Sequence, residues 1–392
     1  MYNGFTIVLF TLHRMKFQNE AILSLGSNSG NRLQHITSCI SYIHNHIATV
    51  VSVSAVYETP SWGFKGDDFY NCAVTVHTCL PARALLAALL EAERHMGRER
   101  SGSGYSARTI DIDIISFNDS MIDEISLQVP HPRMHERKFV LYPLRDIKPG
   151  WIHPVLKKNV GTLIAETTDS AAIKHAATLE APMAGLRLNR YNYIAIEGNI
   201  GAGKTTLSGK ISEDFNAKLV LERFADNPFL PKFYKDQARY AFSLEMSFLA
   251  DRYQQLTDDL SQFDLFRDFV VADYHIFKSL IFSKVTLTED EYRLYRKLFD
   301  IIYREIPRPG LYIYLYQDTQ RLLQHIKKRG RSYEQDIDAD YLEKINKGYL
   351  DFIKTEAGRN VLILDVSGRD FVNSQADYIW ILSQVAKVKG PD

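Results

Sequence analysis

The amino-acid sequence predicts two different folds in one chain, an α+β ferredoxin-like domain followed by an α/β domain with a parallel sheet. Its 392 residues exceed one ordinary domain and fit two domains of roughly 100 to 200 residues each. Apolar segments in the first half follow the order strand-helix-strand-strand-helix-strand, which is typical of an antiparallel-rich sheet with helices on one face. In the second half, short apolar strands alternate with helical stretches, which favours a parallel sheet covered on both faces.

The first predicted domain covers residues 15–160. Its predicted strands are 20–28, 50–60, 68–78 and 109–117, and its predicted helices are 31–47 and 82–97. Residues 161–190 are small, Ala-rich and weakly patterned, which predicts a linker. The first 14 residues contain a short apolar run that lacks the flanking residues of a signal peptide and is too short to span a bilayer. We therefore interpret them as a disordered extension or an upstream start.

The second predicted domain covers residues 191–388 and begins with a strand, a glycine loop and a helix. Further strands are predicted at 217–224, 268–274, 310–316 and 360–366. The 47 basic and 47 acidic residues give a net charge of zero, which argues against a general nucleic-acid or anionic-membrane binder. The three cysteines lack metal-site spacing, which indicates reduced thiols in a cytoplasmic protein.

The glycine loop "GNIGAGKT" matches the pattern G-x-x-x-x-G-K-[ST] directly after a strand and before a helix. Such a P-loop wraps backbone N–H groups around phosphates, while its lysine bridges phosphates and its threonine holds Mg²⁺. ATP or GTP binding is therefore predicted. The candidate ATP contacts are Gly198, Asn199, Gly201, Ala202, Gly203, Lys204, Thr205 and Thr206.

With "ERFADNPF" and "KKRGRSYEQD", the second domain resembles the deoxynucleoside kinase family over nearly all of residues 191–388. The resemblance implies that Glu222 abstracts the proton of the nucleoside 5′-hydroxyl, and that Arg329 and Arg331 of a lid join Lys204 in clamping phosphates. It also implies a homodimer formed through this domain. The implied deoxynucleoside contacts are Glu222, Tyr234, Glu245, Arg252 and Glu334.

Three departures from the family pattern bear on substrate and catalysis. Glu245 stands where the family has a base-reading glutamine, and an ionised carboxylate only accepts hydrogen bonds, which indicates a base edge rich in donors, such as a purine. The usual Glu/Asp-Arg-Ser signature reads Asp273-Tyr-His: Asp273 can still hold Mg²⁺, but the arginine is missing and Lys278 is a candidate substitute. Ser279 replaces a base-reading aspartate, so the preferred base stays open. Two alternatives also stay open, a nucleoside monophosphate kinase and a non-catalytic nucleotide-sensing module that regulates the first domain.

In the first half, "TIDIDIISF" places two carboxylates, Asp111 and Asp113, on one face of an otherwise apolar strand. Like charges this close need a cation. With "SLGSNSGNR" and "VPHPRMHERKFVLYPL", the stretch resembles 6-hydroxymethyl-7,8-dihydropterin pyrophosphokinase over about residues 18–155. The resemblance implies that the two aspartates hold Mg²⁺ that arrives with ATP.

The same resemblance implies the remaining contacts of the first domain. Phosphate-contacting residues would be Arg98, Arg100, Arg108, His131 and Arg137, with 98–107 forming a mobile loop that closes on ATP. Pterin contacts would be Thr59, Pro60, Phe69, Asn71 and Phe139, the two phenylalanines stacking on the ring. The sequence thus predicts a bifunctional Mg²⁺-dependent transferase of folate biosynthesis and deoxynucleoside salvage, with small-molecule substrates and neither nucleic-acid nor membrane partners.

Overall fold

The computed structural model describes residues 16–61, 66–97, 108–223, 227–261, 265–355 and 360–390. In these ranges the chain forms two domains with separate sheets. The first contains β1 (Asn19–Ser27), α1 (Arg32–His46), β2 (Thr49–Val53), β3 (Val56–Thr59), β4 (Phe69–Thr78), α2 (Ala82–His95), β5 (Asp111–Phe117), β6 (Ile122–Glu124), β7 (Leu127–Val129), α3 (Lys138–Ile147), α4 (Val160–Glu166) and β8 (Lys174–Ala177).

The first sheet has the order β5-β1-β4-β3-β8, with β2 also on β4, and its pairs are antiparallel. This order confirms the ferredoxin-like prediction. Alternation along β1 sends Leu23 and Leu25 into a core shared with α1 and α2, whereas Ile22 packs with α3 and α4. The expectation of helices on one face was therefore wrong: apolar positions on both sides of β1 require cover on both sides.

The segment 161–190, predicted as a linker, differs from that expectation along much of its length. Leu163 of α4 is buried in the core beneath α3, and β8 pairs with β3 at the edge of the first sheet. Small residues do not preclude edge pairing, because the ladder uses main-chain groups. The connection between the two sheets is therefore confined to residues 178–192.

The second domain is a parallel sheet with helices on both faces. Its order is β10-β11-β9-β12-β13. Residues Ile194 and Ile196 of the central strand enter one core, and Tyr193 and Ala195 enter the other. Its elements are β9 (Tyr193–Gly198), α5 (Lys204–Asp214), β10 (Lys218–Val220), α6 (Leu230–Lys235), α7 (Gln237–Ser261), β11 (Val270–Ala272), α8 (Phe277–Thr286), α9 (Glu289–Ile302), β12 (Leu311–Tyr316), α10 (Thr319–Arg329), α11 (Ala339–Thr355), β13 (Val361–Asp365) and α12 (Gln375–Lys387).

The two domains touch along α5. The Phe17 main-chain N–H donates to Glu213 Oε1 at 2.8 Å, and the Phe17 ring lies against Gly209, which has no side chain in the way. Asp214 Oδ1 accepts from Gln18 Nε2 at 2.8 Å and lies 2.7 Å from His77 Nδ1. The first domain therefore rests on the helix that follows the P-loop. Within the described residues, no helix is long and apolar enough to cross a membrane.

Candidate active sites

The first candidate site is a cleft of about 940 Å³ on the α3 side of the first sheet. Every predicted site residue of this domain lines it except Arg98 and Arg100, which lie outside the described residues together with the predicted loop 98–107. The lining residues are Ser24, Gly26, Thr59, Pro60, Phe69, Asn71, Arg108, Asp111, Asp113, His131, Arg133, Arg137 and Phe139.

The two aspartates form the anionic floor of this cleft. In the β1–β5 register, Asp111 pairs with Gly26 and Asp113 with Ser24, so both carboxylates lie on one face. Burial and the neighbouring Asp111 raise the pKa of Asp113 to about 6. Arg108 is 2.5 Å from Asp111 and supplies part of the counter-charge. Arg137 and Arg108 act in the opposite direction and lower the pKa of Asp113, while Glu93 adds to the increase.

The donor set fits a magnesium ion delivered with a nucleotide. Mg²⁺ binds one or two carboxylates and takes its other ligands from phosphate and water. No group of three or more His, Cys, Asp or Glu side chains that could hold a metal occurs in the part of the chain that the structure describes. Two carboxylates, Asp111 and Asp113, suit a cation that takes its remaining ligands from substrate and water.

The opposite end of the cleft is aromatic. Phe69 and Phe139 line it, and Asn71 Nδ2 donates to Thr59 Oγ1 at 2.9 Å, which fixes the orientation of the amide. A Cβ atom at Gly26 would lie 3.2 Å from Asn71 Oδ1 and 3.6 Å from Phe69 Cδ1. A flat polar heterocycle fits between such side chains, with the amide at its edge.

Sequence reasoning missed three residues of this cleft, Ser24, Gly26 and Arg133. The first two stand opposite the aspartates in the neighbouring strand, so a correct β1–β5 register would have identified them. Burial, and after it Arg137 and Arg133, lower the pKa of His131 to about 4, which favours a neutral imidazole at pH 7.

The second candidate site is a cleft of about 800 Å³ at the carboxyl ends of the parallel strands. It collects residues from the P-loop, α6, α7, α8, α11 and the segment after α10. The lining residues are Ile200, Gly201, Lys204, Thr205, Glu222, Leu230, Phe233, Tyr234, Leu244, Glu245, Phe248, Arg252, Asp273, Lys278, Phe282, Arg329, Arg331, Glu334 and Tyr341.

The P-loop forms one end of this cleft. Thr205 Oγ1 donates to Asp273 Oδ2 at 2.5 Å, which joins the two predicted magnesium ligands. Gly203 has φ +87°, and a Cβ atom there would lie 2.6 Å from Phe371 Cζ, so glycine is required. Burial and then Lys278 lower the pKa of Lys204 to about 8.

The other predicted loop residues support the P-loop from behind. Asn199 is fully buried, and its amide donates to Leu342 O at 2.8 Å and to Asn346 Oδ1 at 2.9 Å. Ala202 is buried in the core, and Gly198 and Thr206 end β9 and continue α5. These four residues and Gly203 do not line the cleft. The Asn199 side chain tethers the loop to α11.

Glu222 lies in the middle of the cleft between two cations. Its carboxylate is 2.8 Å from Arg252 and 2.6 Å from Lys278. Burial raises the pKa of Glu222, but Lys278 and Arg252 outweigh it and hold the value at about 2. Lys278, the candidate substitute for the missing arginine, therefore pairs with Glu222 and lines the same cleft as Asp273.

The end of α10 and the segment after it, predicted as a lid, also line this cleft. Glu334 is buried and accepts hydrogen bonds from Arg329 and from Arg331, the latter at 3.2 Å. Both arginines line the cleft together with Tyr234, whose ring stacks on Tyr333 at 6.1 Å between centroids. The lid residues predicted from "KKRGRSYEQD" are therefore brought together with the P-loop.

The far end is a hydrophobic slot with a carboxylate. Glu245 on α7 is 2% exposed, and its Oε1 accepts from Thr286 Oγ1 at 3.0 Å. Aromatic side chains that sequence reasoning missed form the walls of the slot. They are Phe233, Phe248, Phe282 and Tyr341. Apolar residues on amphipathic helices are predicted to lie in the core. No signal in the sequence distinguished these four cleft residues from core residues.

Comparisons with known proteins agree with the two clefts. The profile of the deoxynucleoside kinase family matches residues 194–389, and that of 7,8-dihydro-6-hydroxymethylpterin-pyrophosphokinase matches residues 22–149. Both ranges lie within the predicted domains except for one residue at position 389.

Individual relatives fall into the same two groups. A deoxyguanosine kinase of Bacillus subtilis is 38% identical over 51% of this chain and 99% of its own length. A deoxyadenosine kinase of Dictyostelium discoideum is 31% identical over 47% of this chain and 75% of its own length. A 2-amino-4-hydroxy-6-hydroxymethyldihydropteridine pyrophosphokinase of Aquifex aeolicus is 35% identical over 37% of this chain and 91% of its own length.

Each half of the chain thus has its own relatives, and the matches cover 99% and 91% of the length of two of them. Both families are ATP-dependent kinases that work with a divalent metal ion. The chain belongs to both: its N-terminal domain is a hydroxymethyldihydropterin pyrophosphokinase and its C-terminal domain is a deoxynucleoside kinase.

Proposed function

We propose that the first cleft transfers pyrophosphate from ATP to the hydroxymethyl group of 6-hydroxymethyl-7,8-dihydropterin, and that the second transfers the γ-phosphoryl group of a nucleoside triphosphate to the 5′-hydroxyl of a purine deoxynucleoside. One observation supports both steps. Each cleft joins a charged end, which suits a triphosphate, to an aromatic end, which suits a flat heterocycle.

In the first cleft, Asp111 and Asp113 would hold Mg²⁺. The ion would neutralise phosphate charge that accumulates during transfer. Arg108, Arg137 and His131 contact the triphosphate in this proposal, with Arg98 and Arg100 as further clamps. The pterin stacks between Phe69 and Phe139, an arrangement worth about 0.5–1.5 kcal/mol per aromatic pair beyond burial.

In this proposal the edge of the pterin faces the Asn71 amide. Thr59 and Pro60 close that side of the pocket. An amide offers both a donor and an acceptor, which matches the mixed donor and acceptor edge of a pterin. The Thr59 hydrogen bond fixes which way the amide points, so the reading group is positioned before substrate arrives.

In the second cleft, Glu222 accepts the hydrogen bond of the 5′-hydroxyl and orients its oxygen towards the γ-phosphorus. A carboxylate with a pKa of about 2 is a weak base, so it takes the proton only after transfer is well advanced. This suits phosphoryl transfer, in which positioning and charge neutralisation provide most of the catalysis. Lys204, Arg329 and Arg331 supply that neutralisation, Thr205 and Asp273 would hold Mg²⁺, and Glu334 contacts the sugar.

Glu222 also favours a nucleoside over a nucleoside monophosphate as acceptor. A monophosphate would bring its dianion to the carboxylates of Glu222 and Glu334, whereas a neutral hydroxyl only donates to them. We therefore propose the nucleoside, and catalysis rather than nucleotide sensing alone, since Lys204, Glu222 and both lid arginines meet in one cleft.

The test uses full-length protein and two assays, AMP release with the pterin and ATP, and monophosphate formation from deoxynucleosides and ATP. Replacing both Asp111 and Asp113 with Asn should abolish the first activity and leave the second. Glu222→Gln should do the reverse, and exposed Asp119→Asn is the matched control. Loss of both activities in folded Asp111/Asp113 protein would refute independent sites, and exclusive use of monophosphates would refute the nucleoside acceptor.

We also propose a cytoplasmic homodimer joined through the kinase domain. On α9, Leu294 and Ile301 are 52% and 67% exposed and lie seven residues apart, hence on one helix face. The three thiols are unpaired, which suits a reducing compartment. Light scattering should give a dimer for the wild type and a monomer for Leu294→Glu/Ile301→Glu, and a dimeric variant would exclude this face.

A further inference from the structure

Among the described residues that line the kinase cleft, one buried carboxylate oxygen has no hydrogen-bond partner. Glu245 is 2% exposed and lines the cleft; Thr286 satisfies its Oε1, but its Oε2 has no hydrogen-bond partner among the described residues. A buried polar atom left unpaired costs free energy, so this oxygen suits a ligand that donates to it.

The position of Glu245 assigns it to one end of the substrate. The P-loop marks the phosphate end, and Glu222 lies between the cations of the central part. Glu245 lies among Phe233, Phe248 and Phe282, whose rings suit a flat base. This assignment rests on the proposed function: the 5′-hydroxyl of the substrate meets Glu222, and its base meets Glu245.

The bases differ in the hydrogen-bond donors and acceptors that they would present to Glu245. Guanine presents N1–H and the 2-amino group side by side, two donors that one carboxylate can accept together. The Watson–Crick edges of adenine and cytosine each combine one donor with one ring-nitrogen acceptor, which repels an ionised carboxylate and suits an amide. Thymine places its single N–H donor between two carbonyl oxygens.

The second polar group of the slot agrees with this pattern. Arg252 lies seven residues after Glu245 on α7, lines the same cleft, and is held by Ser279 Oγ at 2.8 Å and by Glu222. A fixed guanidinium favours a carbonyl, such as O6 of guanine, over the 6-amino group of adenine. We infer that Glu245 is the specificity-determining residue of the kinase and selects guanine, so that the preferred acceptor is deoxyguanosine.

The charges around Glu245 are consistent with a carboxylate that ionises when its ligand binds. Burial raises its pKa to about 7, while Arg252 on its own helix and Lys278 on α8 act in the opposite direction. Thr286 also lowers it, and Glu222 raises it. Tyr234, Tyr295 and Tyr341 also face this carboxyl group. Donors from guanine therefore stabilise the ionised form.

The relatives do not decide the base, since they include both a deoxyguanosine and a deoxyadenosine kinase. The experiment measures kcat/KM of the full-length chain, with ATP as donor, for deoxyguanosine, deoxyinosine, deoxyadenosine and deoxycytidine at pH 8. Deoxyinosine lacks only the 2-amino group. One hydrogen bond to a charged group corresponds to about a 10- to 100-fold change, so deoxyinosine should fall behind deoxyguanosine by that factor.

Glu245→Gln should lower kcat/KM for deoxyguanosine by the same factor and raise it for deoxyadenosine, while exposed Glu343→Gln leaves both unchanged. A wild-type enzyme that prefers deoxyadenosine or deoxycytidine, or uses deoxyinosine as well as deoxyguanosine, would overturn the assignment. An unchanged preference in the Glu245→Gln variant would also overturn it. If that variant does not fold, the wild-type deoxyguanosine-to-deoxyinosine ratio decides alone. Absence of phosphorylation of any deoxynucleoside would instead refute the proposed function.

Discussion

Asp214 at the end of α5 is the residue whose loss should most weaken the contact between the domains. Its side chain is fully buried and accepts from Tyr378 O–H at 2.7 Å and from Gln18 at 2.8 Å, with His77 Nδ1 at 2.7 Å. Two of these partners, Gln18 and His77, belong to the first domain, and Tyr378 belongs to α12. Asp214→Ala would therefore remove the acceptor of Tyr378 and the partner of His77, and would leave Gln18 Nε2 with only the Lys210 carbonyl at 3.5 Å.

The magnitude follows from that burial. Removing one partner of a buried ion pair costs about 3–5 kcal/mol. A domain of 150–250 residues loses about 2–4 °C of melting temperature per kcal/mol, so we expect a decrease of roughly 6–20 °C. Asp214→Asn keeps the size and one acceptor oxygen, and should have an intermediate effect. Exposed Asp251→Ala is the control and should stay within about 0.5 kcal/mol of the wild type.

The effect should depend on pH in a defined direction. Burial lowers the pKa of His77, but the hydrogen bond and charge of Asp214 outweigh it, and the pKa in the folded protein is raised. The His77–Asp214 attraction is therefore present in full below the unperturbed value of about 6.5 and disappears as pH rises through the raised folded pKa. The assay is differential scanning calorimetry at pH 6 and pH 9. An Asp214→Ala melting temperature within 2 °C of the wild type at pH 6, or a difference that does not shrink at pH 9, would refute the reasoning.

Three further predictions concern glycines and the base. Gly209→Ala would place a Cβ 2.3 Å from Phe17 Cγ, so thermal melts should show a loss of about 1–3 kcal/mol, which Phe17→Ala should relieve; stabilisation, the usual result in a helix, would contradict this. Gly26→Ala crowds Asn71 and should raise KM for the pterin several-fold in steady-state assays while kinase activity is unchanged; an unaltered KM would move the pterin away from Asn71. Below its pKa of about 7, Glu245 is protonated and both donates and accepts hydrogen bonds, as an amide does. The ratio of kcat/KM for deoxyguanosine to that for deoxyadenosine should therefore rise from pH 6 to pH 8. A ratio that does not change with pH would exclude ionised Glu245 as the group that reads the base.

Local patterns in the sequence were sufficient for the sheets and the phosphate ends. The alternation in "TIDIDIISF" gave a strand with both aspartates on one face, and the P-loop motif fixed the start of α5. Both signals lie within a few residues, where backbone geometry is determined locally.

The features that sequence reasoning missed depend on contacts between distant segments. Whether Phe233 or Phe248 belongs to a core or to a cleft is decided by which helix faces it, and periodicity does not encode that. The edge strand β8 has four residues, KHAA, with no apolar alternation, so only its pairing with β3 identifies it. Asp214 and His77 are 137 positions apart in the sequence, and no motif predicts their contact.

The position of the domain contact argues for two chemically independent sites in one folded body. Lys204 begins α5 and Asp214 ends it, so at 1.5 Å per residue the contact lies about 15 Å from the phosphate loop. On the other side, Asn71 and His77 lie six positions apart on β4, about 20 Å at 3.4 Å per residue. The Asp214 contact therefore lies at the opposite end of α5 from the P-loop, and His77 lies six positions along β4 from Asn71. Loss of Asp214 should then reduce stability while turnover at temperatures where the protein remains folded stays unchanged, because the contact supports both scaffolds without touching either substrate.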